Sequence, residues 1–185
     1  ELTNKALMEP SLRYAEEEIA RPFTCVICPG VQSEDRQRLL DHEDMVEYWV
    51  AKSSSGAKGD GIEISASRET LLDHIDTMKG KWVVQAYVPR PLLLFGCKFD
   101  IRVWVLLLPD YSICMYCQGV CRIASQPFNM DNVSDRFVHL TNHCIAAEHA
   151  DFEQHCPGNE LFFNQLDPHI APRTVEHDLW PQLVH

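Results

Sequence analysis

The sequence lacks any apolar stretch long enough to cross a membrane. Its longest apolar run, Val103 to Leu108, falls far short of the roughly 20 residues that a membrane-spanning helix needs. A secretory leader, which is basic and then apolar, is also missing from the start of the 185-residue chain. We therefore expect a soluble, cytoplasmic protein with no membrane partner.

Positive charge is scarce as well. The chain carries 16 Lys and Arg against 27 Asp and Glu, which gives a formal net charge of -11. A surface of this sign repels nucleic-acid phosphates at long range, so nucleic acid is not an expected partner.

The eight cysteines do not show the spacing of a zinc site. Cys25/Cys28 and Cys114/Cys117 each lie in a predicted strand, where residues three apart point to opposite faces and cannot share one metal. We expect free, buried thiols in a reducing compartment. A zinc-binding interaction module is the alternative, because several more possible ligands cluster near the C-terminal end: His139, His143, Cys144, His149, His155 and Cys156.

A glycine-rich stretch, "WVAKSSSGAKGDGIEI" from Trp49 to Ile64, is typical of a loop that contacts phosphate. It is not a Walker loop, because Lys58 precedes Gly59 and the next predicted element is a strand rather than a helix. The glycine spacing also differs from the dinucleotide-binding fingerprint. Two interpretations are left: a flap between two strands that closes over a phosphate chain, with Lys52 and Lys58 as cations, or a mobile hairpin tip.

The long predicted strand from Lys98 to Leu106 has one ionic and one apolar face, because side chains alternate along a strand. The expected ionic face holds Lys98, Asp100, Arg102 and Trp104, and the expected buried face holds Phe99, Ile101, Val103 and Val105. With two-residue turns at Pro109-Asp110 and Gln118-Gly119, the chain would form an antiparallel meander in which Trp104 faces Met115 and Met115 faces Arg122. Arg122 would then join the ionic face. This face is either an anion site or an exposed surface with salt bridges.

The other segments predict an α+β protein. Helices are expected over Ser11 to Ala20, from the N-cap Ser33 to Tyr48, after Ser67, and over Gly158 to Leu166 with a stop at Pro168. Strands are expected at "FTCVIC", "KWVVQAYV" and "HLTNHCI", and a surface loop from Ser125 to Asp135.

Taken together, these motifs resemble the tubulin tyrosine ligase and ligase-like family of ATP-grasp enzymes. The resemblance covers residues 49 to 163 and is carried by five stretches: "WVAKSSSGAKGDGI", "RPLLLFGCKFDIRVWVLL", "GVCRIASQPF", "DRFVHLTNHCI" and "GNELFF". It implies an ATP-grasp-like α+β fold with a mostly antiparallel sheet and flanking helices. Residues 1–48 would be a partial N-terminal or linker region, and 49–185 a central ATP-grasp region that runs into an incomplete C-terminal subdomain.

The resemblance also implies a reaction. "AKSSSGAKGDG" and "HLTNHC" are similar to the tyrosine-adding members, so we expect ATP-dependent ligation of free tyrosine to the C-terminal glutamate of detyrosinated α-tubulin through an acyl-phosphate. The partner would be α/β-tubulin and the location the cytoskeleton. The alternatives are a glutamate- or glycine-adding relative, and a non-catalytic member that binds tubulin or nucleotide.

Matching positions imply individual roles. Asp100, Arg102 and Arg122 would be catalytic. The ATP-binding positions implied are Lys52, Ser55, Gly56, Lys58, Gly59, Gly61, Gln85, Tyr87, Val88, Lys98, Asp100, His139, Leu140, Thr141 and Asn142.

Two positions depart from the family pattern. Ala86 stands where the family usually has a lysine, so we expect weaker ATP binding. The family's Mg2+-binding carboxylates lie in a Glu-Val-Asn-like motif that does not occur before His185, and the lysine expected upstream, on a strand, has no assigned counterpart. The chain is therefore expected to be an incomplete ligase, with ATP and Mg2+ as its cofactors.

Overall fold

The computed structural model describes residues 4–13, 21–43 and 45–170, with side chains up to residue 166. The chain divides into two compact units at Pro91/Leu92, and residues 130–135 belong to the first unit. Each unit has its own antiparallel sheet.

The first unit contains a four-stranded sheet with three helices. In chain order its elements are α1 (Lys5–Arg13), β1 (Thr24–Ile27), α2 (Glu34–Leu40), β2 (Trp49–Ser53), β3 (Ile62–Ser65), α3 (Arg68–Asp76) and β4 (Trp82–Ala86). The strand order is β1-β4-β2-β3, with antiparallel neighbours throughout. Its core is formed by Cys25, Ile27, Leu39, Trp49, Ala51, Leu71, Leu72, Ile75, Trp82 and Val84.

Side-chain caps set the helix starts in the first unit. Ser33 and Ser67 accept hydrogen bonds from the backbone N–H groups of Arg36 and Thr70, which confirms both predicted N-caps. The predicted extension of α2 to Tyr48 is wrong: the helix ends at Leu40. The Arg68 guanidinium donates to the carbonyls of residues 39, 40 and 42 and satisfies the orphan acceptors there.

The first helix begins earlier than predicted. Asn4 Oδ1 accepts from the Ala6 N–H at 3.0 Å, so α1 starts at Lys5 rather than at Ser11. The rest of the predicted helix, residues 14–20, lies outside the described residues.

The second unit is also sheet-based. Its elements are β5 (Leu93–Leu94), β6 (Cys97–Arg102), β7 (Val105–Leu107), β8 (Ile113–Met115), β9 (Val120–Pro127), α4 (Arg136–His139), α5 (His143–Ala146), a 3-10 turn (Pro157–Asn159), β10 (Glu160–Phe162) and α6 (Phe163–Ile170). One sheet has the order β10-β9-β6-β5, and β7 and β8 form a separate hairpin. The core consists of Leu94, Cys97, Cys121, Ile123, Cys156, Leu161 and Leu166.

The predicted meander is wrong, because β6 pairs directly with β9 rather than through β8. Since β9 begins at Val120, residues beyond Arg102 lose this partner and pair with β8 instead. The connection 108–112 is longer than a two-residue turn, so Val105 rather than Trp104 faces Met115. Arg122 nevertheless shares a face with Asp100, because these two residues are direct cross-strand partners.

The apolar face of this strand is also not buried as predicted. Phe99 is half-buried, but Ile101, Val103 and Val105 are exposed, and Val105 retains 57% of its accessible surface. The β7–β8 hairpin packs against too little of the unit to cover them.

Three further predictions are wrong in whole or in part. "HLTNHCI" contains the end of α4 and the start of α5 rather than a strand, because the carbonyl of Asn142 accepts from the N–H groups at 145 and 146 and starts a new helical turn. The predicted loop from Ser125 to Asp135 is confirmed over 128–135, but strand β9 includes its first three residues, and the Ser125 hydroxyl donates to the Ala146 carbonyl at 3.1 Å. The helix expected from Gly158 begins only at Phe163 and passes Pro168, because Gly158 has φ +67° and β10 follows it.

The structure confirms the α+β class with antiparallel sheets, as expected for an ATP-grasp-like fold. Within the described residues, no helix has the length and apolarity needed to span a bilayer.

Candidate functional site

The glycine-rich segment of the first unit connects β2 to β3 and is folded by its own backbone. The N–H of Ser53 donates to the Gly61 carbonyl at 3.0 Å, and the N–H of Asp60 donates to the Ala57 carbonyl at 3.0 Å. Gly56 has no room for a side chain, since a Cβ there would lie 2.6 Å from the Asp60 carbonyl oxygen. The predicted loop between two strands is confirmed.

Three other positions of the loop adopt the left-handed conformation. Gly59 and Gly61 have φ of +83° and +64°, and Lys58 has φ of +58°. The Ser55 side chain is exposed, and its hydroxyl lies 3.4 Å from that of Ser53.

Lys52 lies at the base of this loop, and among the described residues its bonding partner is a neutral acceptor. Its Nζ donates to Gln85 Oε1 at 2.9 Å, and Gln85 Nε2 donates in turn to Thr24 Oγ1 at 3.0 Å. Burial lowers the pKa of Lys52, and the nearby Lys5 ammonium lowers this pKa further. The ammonium group of Lys52 is therefore one that an incoming anion would stabilise.

Lys5, on α1, is a cation that the sequence analysis did not single out. Its Nζ donates to the Gly56 carbonyl at 2.8 Å and to the Ser53 carbonyl at 3.2 Å. No spacing signal links it to a loop almost fifty residues later. The one available hint was the upstream lysine that the family resemblance implied, and Lys5 occupies a helix rather than the expected strand.

The predicted adenine-side positions lie at the end of β4. The N–H of Tyr87 donates to the Tyr48 carbonyl at 2.8 Å, and burial raises the pKa of Tyr87 to about 12. Val88 is exposed, and Ala86 packs against the first core. Gln85 is the member of this group that touches Lys52.

An ionic cluster occupies the second unit. Arg122 binds Asp100 through two hydrogen bonds, from Nε to Oδ1 at 2.8 Å and from Nη2 to Oδ2 at 2.5 Å. Thr141 donates to the same Oδ2 at 2.9 Å. The bond to Asp100 raises the pKa of Arg122. A guanidinium held at two points is fixed in orientation as well as in position.

The other predicted positions of this unit lie at separate places on its elements. Arg102 is exposed opposite Val120, one strand row from Asp100, and Lys98 pairs with Leu93 at the far end of β6. His139 is buried, with its ring centroid 5.6 Å from that of Phe128. Leu140 is half-buried beside them, and Asn142 caps α5 through its backbone.

The described residues do not form a binding site for Mg2+. Among them, no three His, Cys, Asp or Glu side chains form a group that could hold a metal ion. Both carboxylate oxygens of Asp100 are already engaged by Arg122 and Thr141. The same residues therefore give no support to a zinc module.

All eight cysteines are free, but they are not all buried as predicted. Cys25 is buried and Cys28 half-buried, whereas Cys114 and Cys117 are exposed on and after β8. The prediction of buried thiols is wrong for the second pair, because the hairpin that carries it is itself uncovered.

Comparisons with known proteins point to one family. The model of the "Tubulin-tyrosine ligase family" matches residues 1–185. Among curated proteins, the chain is 34% identical over 143 residues to the tubulin monoglycylase TTLL3 of Mus musculus, a match that covers 72% of this chain and 15% of that protein. It is 32% identical over 112 residues to the tubulin glycylase 3C of Tetrahymena thermophila, covering 60% of this chain and 10% of that protein.

A third relative carries a different activity in its name. The chain is 34% identical over 116 residues to the probable tubulin polyglutamylase ttll-9 of Caenorhabditis elegans, covering 57% of this chain and 27% of that protein. The chain thus spans about a quarter or less of the length of these relatives.

Proposed function

Because this chain belongs to the tubulin-tyrosine ligase family, we propose that it takes part in the ATP-dependent ligation of an amino acid to tubulin. The observation that carries the proposal is that two candidate cationic sites occur in one family member. Among the described residues, two lysines at a glycine-rich loop bond neutral oxygens, and an arginine is held by a carboxylate. Ligation through an acyl-phosphate requires cations for a phosphoryl group and a second cationic contact for a carboxylate.

The first unit would bind the nucleotide. ATP, when bound, supplies the phosphoryl group that activates the acceptor carboxylate. Lys52 and Lys5 would neutralise the phosphates, and the loop from Ser53 to Gly61 would cover them with its backbone N–H groups. Gln85, Tyr87 and Val88 would contact the base.

The second unit would bind the acceptor. Arg122, held by Asp100, would orient the carboxylate, and the exposed Arg102 would add a second positive charge. In the reaction the acceptor carboxylate oxygen attacks the γ-phosphorus and ADP leaves. The amine of the free amino acid then attacks the acyl-phosphate, with loss of phosphate and a proton. Asp100, Arg122 and Thr141 keep their mutual bonds and so hold the guanidinium in one orientation.

The relatives' names favour glycine or glutamate as the amino acid added, since they include tubulin glycylases and a probable polyglutamylase. Tyrosine is the second candidate, supported by the stretches "AKSSSGAKGDG" and "HLTNHC". Free tyrosine was the substrate expected from sequence, and the named relatives do not add support to it.

One incorporation assay tests these proposals together. The intact protein is incubated with ATP, brain tubulin and one labelled amino acid at a time: glycine, glutamate or tyrosine. We expect ATP-dependent label in tubulin with glycine or glutamate, and about a hundredfold less with the Asp100→Asn variant. Label with tyrosine alone would overturn the assignment of the amino acid. No label with any of the three, together with nucleotide or tubulin binding, would show a non-catalytic member.

The proposed partner also sets a proposed location. A tubulin-directed ligase would be cytoplasmic and associated with the cytoskeleton, and co-sedimentation with microtubules tests this directly. Retention in the supernatant at all tubulin concentrations would contradict it.

A further inference from the structure

The second unit contains a pocket that the proposed reaction does not use. Its volume is about 570 Å3, and its lining is Trp104, Tyr116, Gln118, Phe162, Asn164 and Gln165. The rings of Trp104 and Tyr116 stand at 77° to each other with centroids 6.3 Å apart. Three aromatic and three amide side chains make a cavity without a formal charge, of a size that suits a small group or a side chain.

One polar atom of this lining lacks a hydrogen-bond partner among the described residues. Gln118 Oε1 is buried and finds no donor there, whereas Gln165 Oε1 accepts from the Phe162 N–H at 2.9 Å. A buried acceptor without a partner costs free energy, which an incoming N–H group would recover. The polar requirement of the pocket is therefore for a donor such as a peptide N–H.

The strand register places this pocket on the same face as the ionic cluster. Asp100, Arg122 and Glu160 are direct partners across β6, β9 and β10, and so are Arg102, Val120 and Phe162. These two rows are two residues apart, so their side chains point to the same side of the sheet.

The pocket adjoins that face through Phe162, which lines the pocket and belongs to the row of Arg102 and Val120. The exposed Arg102 therefore lies in the row next to the Asp100–Arg122 pair and beside the pocket. Gln118 precedes Arg122 by four residues, which at roughly 3.3 Å per residue span up to about 13 Å, the reach of about four residues of extended chain.

We infer that this pocket binds an apolar or aromatic side chain of the acceptor polypeptide, about four residues from the carboxylate that Arg122 orients. The inference rests on the proposed ligase function for the identity of that polypeptide. Gln118 accepts a backbone N–H of the bound segment, and the aromatic rings pack against its side chain. Arg102 pairs with an acidic residue between the two ends, and this local positive charge opposes the repulsion between an acidic partner and a chain whose net charge is -11.

Two synthetic peptides test this by fluorescence anisotropy with the intact protein. Both are acidic and end in glutamate, and they differ only in phenylalanine or alanine four residues before the end. We expect the phenylalanine peptide to bind about tenfold more tightly, as a buried aromatic anchor does. Trp104→Ala should remove this preference, and the near-isosteric Gln118→Leu should weaken the binding of both peptides. Tyr111→Ala, an exposed aromatic in the 108–112 connection outside the pocket, should keep it.

Several results would overturn the inference. They are the absence of a preference in the wild type, the same preference in Trp104→Ala, unchanged affinity for both peptides in Gln118→Leu, and a wild-type dimer by light scattering that Trp104→Ala dissociates, since a second copy would then occupy the pocket. Circular dichroism and thermal unfolding serve as the folding controls for each variant.

The outcome is separable from that of the proposed function. A pocket-dependent peptide preference without ligation of any amino acid would support the inference and count against the ligase. Ligation of both peptides at equal rates with equal affinities would do the reverse.

Discussion

The two units hold their candidate functional cations in opposite ways. In the first, Lys52 and Lys5 bond only to neutral oxygens, those of Gln85 and of the loop backbone, and the pKa of Lys52 is lowered. In the second, Arg122 is clamped by Asp100 and its pKa is raised. In the part of the chain that the structure describes, neither lysine is paired with a carboxylate.

The difference indicates that positively charged side chains have two roles in this protein. An ammonium group without a counter-ion attracts an external anion such as a phosphate. A guanidinium that already has its carboxylate gains less from another anion, but it is held in one orientation. We therefore assign attraction to the lysines and alignment to the arginine, and the following changes test that division.

The largest effect is expected from Asp100→Asn. This change removes the charge that holds Arg122 and weakens the acceptor of Thr141, so alignment should be lost and ligation should fall about a hundredfold. Initial rates with tubulin measure the loss. Asp110→Asn is the matched control, because that exposed carboxylate bonds only Ser112 in the hairpin connection. Equal rates for the Asp100 variant and the wild type would contradict the role given to the pair.

A smaller loss is expected from Lys52→Met, and it should appear in nucleotide binding. Removing one of two uncompensated cations should weaken ATP binding about thirtyfold while leaving acceptor-peptide binding unchanged. Calorimetric titration with ATP measures this. Lys79→Met removes an exposed lysine of the same unit and should bind ATP normally. A variant that loses peptide binding instead would reverse the assignment of the two units.

Lys5→Met should act mainly through the loop and cost about fivefold in ATP affinity. The Nζ of Lys5 bonds two loop carbonyls, so its loss should free the loop as well as remove charge. Faster hydrogen exchange at residues 53–61 is the expected signature, measured by mass spectrometry. Lys5→Arg should restore part of the protection. Unchanged exchange in the methionine variant would show that the contact does not hold the loop.

The smallest effect concerns stability against pH. Between the lowered pKa of Lys52 and the ordinary lysine pKa, the unfolded chain binds more protons than the folded protein, so the free energy of unfolding should rise with pH in that alkaline window. The slope from this one group stays below about 1.4 kcal/mol per pH unit. Urea unfolding at several alkaline pH values should show a shallower slope in Lys52→Met and the wild-type slope in Lys79→Met. Identical slopes in the wild type and both variants would contradict the lowered pKa of Lys52 in the folded protein.

Local signals in the sequence predicted the parts of the fold that local physics determines. Ser33 and Ser67 cap helices within three residues of themselves, and the glycine loop is bounded by its own two strands. The shared face of Asp100 and Arg122 was also predicted, but through a meander that does not form. That prediction was right because two errors cancelled. The connection between β7 and β8 was predicted too short, and β9 was paired with β8 rather than with β6.

What sequence reasoning missed is non-local. The contact between Lys5 and the loop joins residues about fifty positions apart, and nothing in either segment specifies the other. The pairing of β6 with β9 depends on where β9 begins, which no turn signal near β6 records. "HLTNHCI" was misassigned because the buried residues at its two ends form adjacent pairs with their outer neighbours, His139 with Val138 and Ile145 with Ala146, which fit neither strand alternation nor a long helix.

The separate cores also give each unit its own chemical reporter of unfolding. Cys25 lies in the first core, and burial raises its pKa to about 12; Cys97, Cys121 and Cys156 lie in the second core, and burial raises their pKa values as well. Thiols in this state react slowly with alkylating reagents, whereas the exposed Cys114, Cys117 and Cys144 can react in the folded protein. Pulse alkylation followed by peptide mapping would therefore show which core opens first under denaturant.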